Sequence, residues 1–219
     1  MTRARILETD IGIHGDVAVD MYDQMQRRLR DKGWLATGAI ISCGLSSGIA
    51  LEIGPGPGYL GLEWLMHTQG TTLKGLDISN EMIAVAERNA KVYGLTERVT
   101  YVQGSGARLP FDDGTFDGVF TTQSLHEWSE PEATFLEIWR VLKPAGRLVV
   151  SDFRRDMSPL VKGFLWLMAK PKLLRRGLVA SLNAAYTPAE VRAILPEPMQ
   201  SSCETTAGPM NLRIVGTKN

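Results

Sequence analysis

The segment Leu51-Glu52-Ile53-Gly54-Pro55-Gly56-Pro57-Gly58 constrains this chain more than any other. A short apolar run, Gly48 to Ile53, reads as a buried strand. It ends in three glycines and two prolines, and a helical pattern follows at once, with Leu62, Leu65 and Met66 on one face. A strand that passes into a helix through a glycine loop is the ligand-binding corner of an open α/β sheet. Glycine lets the backbone approach a ligand and adopt conformations closed to other residues. A dinucleotide loop would follow G-x-G-x-x-G, with its third glycine at position 59, which is Tyr59. Glu52, just before the loop, would repel a pyrophosphate and suits a ligand that carries a cation. Asp77 ends the second strand, 19 residues after Gly58. A carboxylate there accepts hydrogen bonds from a ribose diol, and Ile78 beside it offers apolar surface to a flat base. The implied ligand is a nucleoside with a positively charged appendage.

The rest of the chain alternates strand and helix. Asp16 to Lys32 predicts a helix, with Ala18, Met21, Tyr22, Met25 and Leu29 at helical spacing and Asp16 as N-cap. Thr37 to Ser47 reads as a loop or a weak helix. Thr72 to Leu76 is a second strand, followed by a helix capped by Ser79 and ended by Gly94. Val99 to Val102, Phe116 to Thr121 and Arg147 to Ser151 are further strands. Ser129 and Glu132, and again Thr187 and Glu190, have capping-box spacing. KPAG at 143–146 reads as a turn. Two last strands, about Ser201 to Thr206 and Leu212 to Gly216, are expected to pair antiparallel. Strands alternating with helices predict a parallel α/β sheet covered on both faces.

Composition narrows the partners. Of 219 residues, 44% are hydrophobic and 22% charged, an ordinary globular balance. Lys plus Arg and Asp plus Glu are both 24, so no global field selects nucleic acid. Cys43 and Cys203 are expected to act as small buried hydrophobes. His14, His67 and His126 make no metal-ligand spacing, and no metal is expected. The N-terminus carries basic residues without an apolar run behind them, and no run reaches the roughly 20 residues of a spanning helix. A cytoplasmic location is the expectation.

These features resemble the class I S-adenosylmethionine-dependent methyltransferases. LEIGPGPG looks like their first motif and GLDIS like their ribose-binding strand end. RLPFDDGTFDGVF resembles the approach to their fourth strand, and LKPAGRLVVSDF their fifth-strand motif. The resemblance covers about residues 48–152. It implies a Rossmann-like, seven-stranded, mostly parallel sheet with an antiparallel last strand and helices on both faces. It also implies methyl transfer from S-adenosylmethionine (SAM) to a small-molecule acceptor. Carried over by position, Glu52, Gly54, Gly56 and Gly58 would face the amino acid part of SAM, and Asp77 the ribose hydroxyls. Ile78 and Met82 would flank the adenine. In Gly104-Ser105-Gly106-Ala107, Ser105 and Gly106 stand where the family usually shows an acid and alanine, so the adenine amino group loses a charged partner. Thr122 and Gln123 would line the site near the methionine part.

Beyond the cofactor, several residues have two readings. His126 is a general base for the acceptor or a wall of the pocket; Glu127 shares its position. Tyr22, in VDMYDQM, looks like a residue of the family's N-terminal helix. It touches the SAM carboxylate or the substrate, or is a core contact. Residues 153–186 break the strand–helix rhythm with a helical insertion. It holds Arg154, Arg155, Lys162, Lys170, Lys172, Arg175 and Arg176 against one acid, Asp156. With Phe164 to Met168 it is expected to form a substrate lid, and its 153–176 part can contact a membrane surface; a solvated basic helix packed on the sheet is the alternative. The expected organisation is a helical cap (1–47), a SAM-binding core (48–152), the insertion (153–186), and a last helix with a strand hairpin (187–219). Competing functions are a SAM-binding protein without turnover and a nicotinamide oxidoreductase, the latter opposed by Tyr59 and Glu52. TTQS after the fourth strand lacks the NPPY-like tetrad of nucleic-acid methyltransferases.

Overall fold

The computed structural model describes residues 4–8 and 15–219; His14 lies outside the described residues. Seven strands form one sheet: β1 (Ile49–Ile53), β2 (Thr72–Asp77), β3 (Val99–Gln103), β4 (Phe116–Thr122), β5 (Leu142–Phe153), β6 (Cys203–Ala207) and β7 (Asn211–Thr217). Their order is β3-β2-β1-β4-β5-β7-β6. β1 to β5 pair in parallel, and β7 runs antiparallel between β5 and β6. The expected Rossmann-like sheet with an antiparallel last strand is present.

The helices are α1 (Asp16–Asp31), α2 (Thr37–Ser42), α3 (Tyr59–Met66), α4 (Asn80–Tyr93), α5 (Pro131–Val141), α6 (Pro159–Met168), α7 (Leu174–Ala184), α8 (Pro188–Ile194) and α9 (Glu197–Gln200). A 3-10 turn spans Leu125–Glu127. Alternate residues of each strand feed opposite cores. Leu51, Ile53, Val119 and Leu148 join Phe135 and Ile138 of α5 on one face. Ala50, Phe120 and Val149 join Leu62, Trp64 and Leu65 of α3 on the other. Trp64 is wholly buried, and its indole N–H donates to the Leu45 carbonyl at 2.8 Å. Removing such a ring would leave both a cavity and an orphaned acceptor.

The caps follow the sequence at some helices and depart from it at others. Ser79 accepts from the Met82 amide, Gly94 closes α4 in the left-handed region, and Thr187 and Glu190 form a full capping box. Asp16, however, is the first residue of α1 and Gly15 is its N-cap; the carboxylate complements the helix dipole from the first turn. Ser129 and Glu132 make no capping box, because α5 begins at Pro131 behind Glu130. KPAG does not interrupt the fifth strand. It is a bulged stretch within β5, with Ala145 at φ 62° and a register shift against β4. Cys43 and Cys203 are half-buried free thiols packed at the edges of the two cores.

α1 is held over the sheet by a buried acid. Asp23 is 1% exposed and accepts from Arg27 at 2.8 Å, Arg88 at 3.4 Å and the Asn89 amide at 3.2 Å. Asn89 also donates to the Pro57 carbonyl at 2.8 Å, so one network ties α1, α4 and the glycine loop together. Asp23→Ala deletes acceptors for three donors, two of which can reach water. We expect it to cost about 2 kcal/mol, read as a lower urea midpoint at unchanged m-value. Tyr22 sits on the same helix, so the substitution also loosens the roof of the site described next.

Candidate active site

An open cleft of about 780 Å³ lies at the carboxyl ends of β1, β2 and β4. The sheet order makes this inevitable. β1 leads to β2 on one side, while β4 adds on the other, and the connections diverge at the point between them. Tyr22, Gly54, Gly56, Asp77, Ile78, Met82, Ser105, Gly106 and Gln123 all line the cleft. Glu52, Gly58 and Thr122 do not.

The loop after β1 is folded by glycine geometry. Gly54 and Gly56 have φ of 67° and 52°, a region unfavourable to other residues. A Cβ on Gly54 would lie 2.7 Å from the Ser124 hydroxyl, and one on Gly56 would lie 3.3 Å from the Tyr22 ring. These bare positions leave a cradle that a side chain would fill. Gly58 serves packing instead: its Cβ would lie 2.6 Å from the Tyr101 hydroxyl and 3.1 Å from Ala86, on the side of α4 and β3.

Asp77 organises the floor. One carboxylate oxygen accepts from the Gly56 amide and the other from the Ser79 amide, each at 3.0 Å. A carboxylate oxygen accepts more than one hydrogen bond, so both remain competent toward a diol. Ile78, 39% exposed, and buried Met82 supply apolar walls for a flat ring. The Ser105 hydroxyl accepts from the Ala107 amide at 3.2 Å, which turns the loop after β3 into the cleft. Tyr22 packs against Val19, Met82 and Val85 and accepts from Gln26 at 3.0 Å; burial pushes its phenol pKa up. It is at once a core contact and a wall of the cleft.

Glu52 is placed differently from the expectation. It is 2% exposed and points behind the loop, where a Cβ on Gly61 would lie 2.3 Å from its Oε2. Among the described residues, that oxygen has no hydrogen-bond partner. Burial, followed by the nearby Asp77 charge, raises its pKa from the usual 4.5 to about 8. It lies beneath the cradle and does not face the cleft. Thr122 ends β4 opposite Ser151, and Gln123, at φ 55°, takes the turn into the cleft.

His126 also differs. It is 3% exposed and does not line the cleft. Its Nδ1 lies 2.9 Å from both Asp152 oxygens, and Asp152 also accepts from the His126 amide at 2.7 Å. Its Nε2 lies 3.6 Å from Glu8 and 3.9 Å from Glu127. Burial opposes the charge on the ring, but Asp152, Glu127 and Glu8 outweigh it and lift the pKa to about 9. Buried behind the wall and held by Asp152, the ring is not placed to take a proton from a substrate in the cleft, which departs from the expectation of His126 as a general base. Glu127, its neighbour, lines the cleft. Burial raises its pKa to about 7; His126 lowers it, while Glu8, Asp152 and Asp77 raise it.

The family resemblance continues the substrate face from Gln123 through Ser124, Leu125, His126, Glu127 and Trp128; Ser124, Glu127 and Trp128 line the cleft, while Leu125 and His126 do not. Ala107, Ser129, Glu130 and Thr134 also line it and were not singled out in the sequence. Glu8, His126 and Glu127 bring ligand-type atoms within 4.8 Å of one another, a cluster of histidine and carboxylates beside the fourth strand that was not expected. Nothing marked Glu8, because the chain segments that meet here are far apart in sequence. The insertion contributes no residue to the cleft wall, so it does not roof the cleft in this conformation.

The residues present fit the nucleoside sulfonium that the family resemblance implies: a carboxylate at a strand end, apolar walls, and a cradle that two Cβ atoms would block. We expect Asp77→Ala to weaken S-adenosylhomocysteine binding by roughly tenfold or more, about 1.4 kcal/mol, measured by calorimetric titration. Glu52 gives a pH prediction. Its folded pKa lies above its unfolded one, so the folded state holds the extra proton. Stability contributed by this group falls as pH rises from about 4.5 to about 8 and then levels. Glu52→Gln should therefore gain stability over wild type progressively across that window, in urea titrations at stepped pH, with no growing gain below it.

The family model described as "Methyltransferase domain" matches residues 51–150. A demethylmenaquinone methyltransferase of Deinococcus radiodurans is 30% identical over 183 residues, covering 81% of this chain and 75% of that protein. A ubiquinone/menaquinone biosynthesis C-methyltransferase of Blochmanniella pennsylvanica is 31% identical over 106 residues, covering 48% and 42% of the two chains. A structure described as a putative S-adenosyl-L-methionine-dependent methyltransferase of Methanococcus maripaludis superposes with a TM-score of 0.74 at 21% identity, over 100% of this chain and 97% of that one. With the sheet order and the Asp77 cleft, these likenesses settle the family: the chain belongs to the class I S-adenosylmethionine-dependent methyltransferases, and S-adenosylmethionine is its cofactor.

Proposed function

We propose that this enzyme methylates a ring carbon of a quinol-type small molecule, with Glu127 as the proton acceptor. The observation that carries the acceptor class is the extent of the likeness to the Deinococcus demethylmenaquinone methyltransferase. It runs over 183 residues, well beyond the cofactor core at 51–150, into the flanks that shape an acceptor site. The name of the Blochmanniella relative, a C-methyltransferase, supports carbon as the accepting atom.

The bound cofactor supplies an electrophilic methyl group. The chain's residues do the rest. Asp77, Ile78, Met82 and the Gly54–Gly56 cradle would hold the nucleoside and its amino acid arm. Tyr22 and Trp128 narrow the cleft and keep water from the reacting faces. A phenolic ring carbon is a weak nucleophile until the neighbouring hydroxyl loses its proton. Once that carbon has taken the methyl group, it gives up its own hydrogen as a proton and the hydroxyl is restored, so one proton is released per methyl transferred. Glu127 stands on the cleft wall with a pKa near the operating range, where a base is most effective. The His126 imidazolium, fixed by Asp152, lies behind that carboxylate and favours its ionised form. On this reading His126 positions Glu127 and does not touch the acceptor.

The test supplies labelled SAM and a demethylated naphthoquinol with a short side chain, and locates the added methyl by mass spectrometry. Methylation on ring carbon is expected; S-adenosylhomocysteine binding without methylation of naphthoquinol or benzoquinol would overturn the acceptor class. Glu127→Gln should lower kcat on the order of a hundredfold while leaving S-adenosylhomocysteine affinity unchanged. In the wild type kcat should rise with pH through about 7, as Glu127 ionises, and then flatten. A flat profile with an active Gln variant would remove Glu127 from the role.

A further inference from the structure

The insertion forms a helical hairpin that buries apolar side chains at its two ends, Met157 on one side and Leu182 and Tyr186 on the other, and leaves its first helix uncovered. α6 has no buried residue. Leu160, Phe164, Leu167 and Met168 recur at the spacing of one helix face, and they are 86%, 57%, 61% and 44% exposed. A helix normally turns that stripe to its core; α6 turns it to solvent. Trp166 and Leu173 extend the patch, 46% and 66% exposed.

The charge around this patch has one sign. From Met157 to Ala189 the chain carries no acidic residue, while Lys162, Lys170, Lys172, Arg175 and Arg176 are all cations. Among the described residues none of these five is paired with a carboxylate. The Arg175 guanidinium lies 4.0 Å over the Trp166 ring, which joins the charge to the apolar patch at the hairpin's bend. Among the described residues no helix is long and apolar enough to cross a membrane.

We propose that the α6–α7 hairpin docks on an anionic lipid bilayer, with the α6 stripe in the interface and the cations on the headgroups. An apolar face flanked by lysine and arginine is the chemistry of an interfacial helix. A second copy of the chain fits less well, because two such hairpins would bring like charges together. The hairpin is also rooted at the active site. The C-terminal end of α7 buries Leu182 and Ala184, and Ala184 accepts a hydrogen bond from Arg5, which also donates to the His126 carbonyl at 2.9 Å. A bilayer under α6 would thus lie beside the wall that carries Glu127. The proposal is independent of the acceptor and would hold if the quinol reading failed.

The test is co-sedimentation of the full chain with equimolar phosphatidylglycerol–phosphatidylcholine vesicles and with phosphatidylcholine alone. Binding to the anionic vesicles is expected to be roughly tenfold tighter or more, and to weaken with added salt. The pairs Phe164→Glu with Leu167→Glu, and Lys170→Glu with Lys172→Glu, should each lower it by a similar factor. Unchanged S-adenosylhomocysteine binding certifies that the variants are folded. Equal binding to both vesicles, no binding, or variants that bind like the wild type would overturn the proposal. So would sedimentation equilibrium showing a dimer that the Phe164→Glu/Leu167→Glu pair dissolves while vesicles go unbound. No methyl acceptor enters this assay, so its failure and that of the quinol reading are read separately.

Discussion

The hydrogen bond from the Gly56 amide to the Asp77 carboxylate joins the two strand ends that define the site. β1 and β2 pair in parallel up to Ile53 and Leu76, and the Gly54 amide still donates to the Leu76 carbonyl at 2.8 Å. Past that bond, the 3.0 Å contact to Asp77 ties the glycine loop to the end of β2. The same carboxylate, through the Ser79 amide, fixes the start of α4, whose Met82 forms a wall. Loop, helix start and the Asp77 carboxylate are therefore one unit, and a ligand meets a site that is already organised. This is how an exposed loop achieves precision on the scale catalysis requires.

Carboxylates crowd the cleft in two groups that behave oppositely. Glu52 and Asp77 lie near each other with burial and no cation to relieve them, so Glu52 keeps its proton to about pH 8. A protonated Glu52 adds no negative charge beneath the glycine cradle. On the other side, Glu8, Glu127 and Asp152 surround one histidine, and the ring takes the proton. Both outcomes follow from the same rule: a buried charge persists only where an opposite charge compensates its desolvation. The cleft thus has the Asp77 carboxylate at one end and Glu127 at the other, and on the proposed reading binding and proton transfer fall to different carboxylates.

Legibility in the sequence followed the range of the interactions. The glycine loop, Asp77, Ser79 and the Thr187–Glu190 box are local patterns, and each formed where its spacing placed it. The seven-stranded topology followed from the family resemblance and the alternation of elements. What failed was decided by tertiary contact. Glu52 was expected in the cleft because of its position before the loop, but strand alternation turns its side chain under α3, toward Gly61. His126 was taken for a base because nothing local announced Asp152, 26 residues on, or Glu8 from the N-terminal segment. The Ser129 box failed because Pro131 set the helix start. A charge's role depends on what surrounds it in space, and a sequence displays that only for near neighbours.

The hairpin and the cleft present complementary halves of one physical problem. A quinol with an apolar tail is sparingly present in water, so an enzyme acting on it gains by meeting it where it dissolves. A cleft alone cannot do that; its walls take no residue from the insertion and its rim is polar, with Ser129 and Glu130. On the docking proposal, the exposed stripe of α6 would supply affinity for an apolar phase, and the flanking cations would restrict it to a surface of opposite charge. Because α7 is buried only at its cleft-proximal end, the stripe can engage a surface without disturbing the core that holds Asp77. Cofactor binding and surface binding thus rest on separate packing units joined at one wall, that of His126 and Glu127. Effects on one should leave the other intact, because α7 is buried only where it meets that wall.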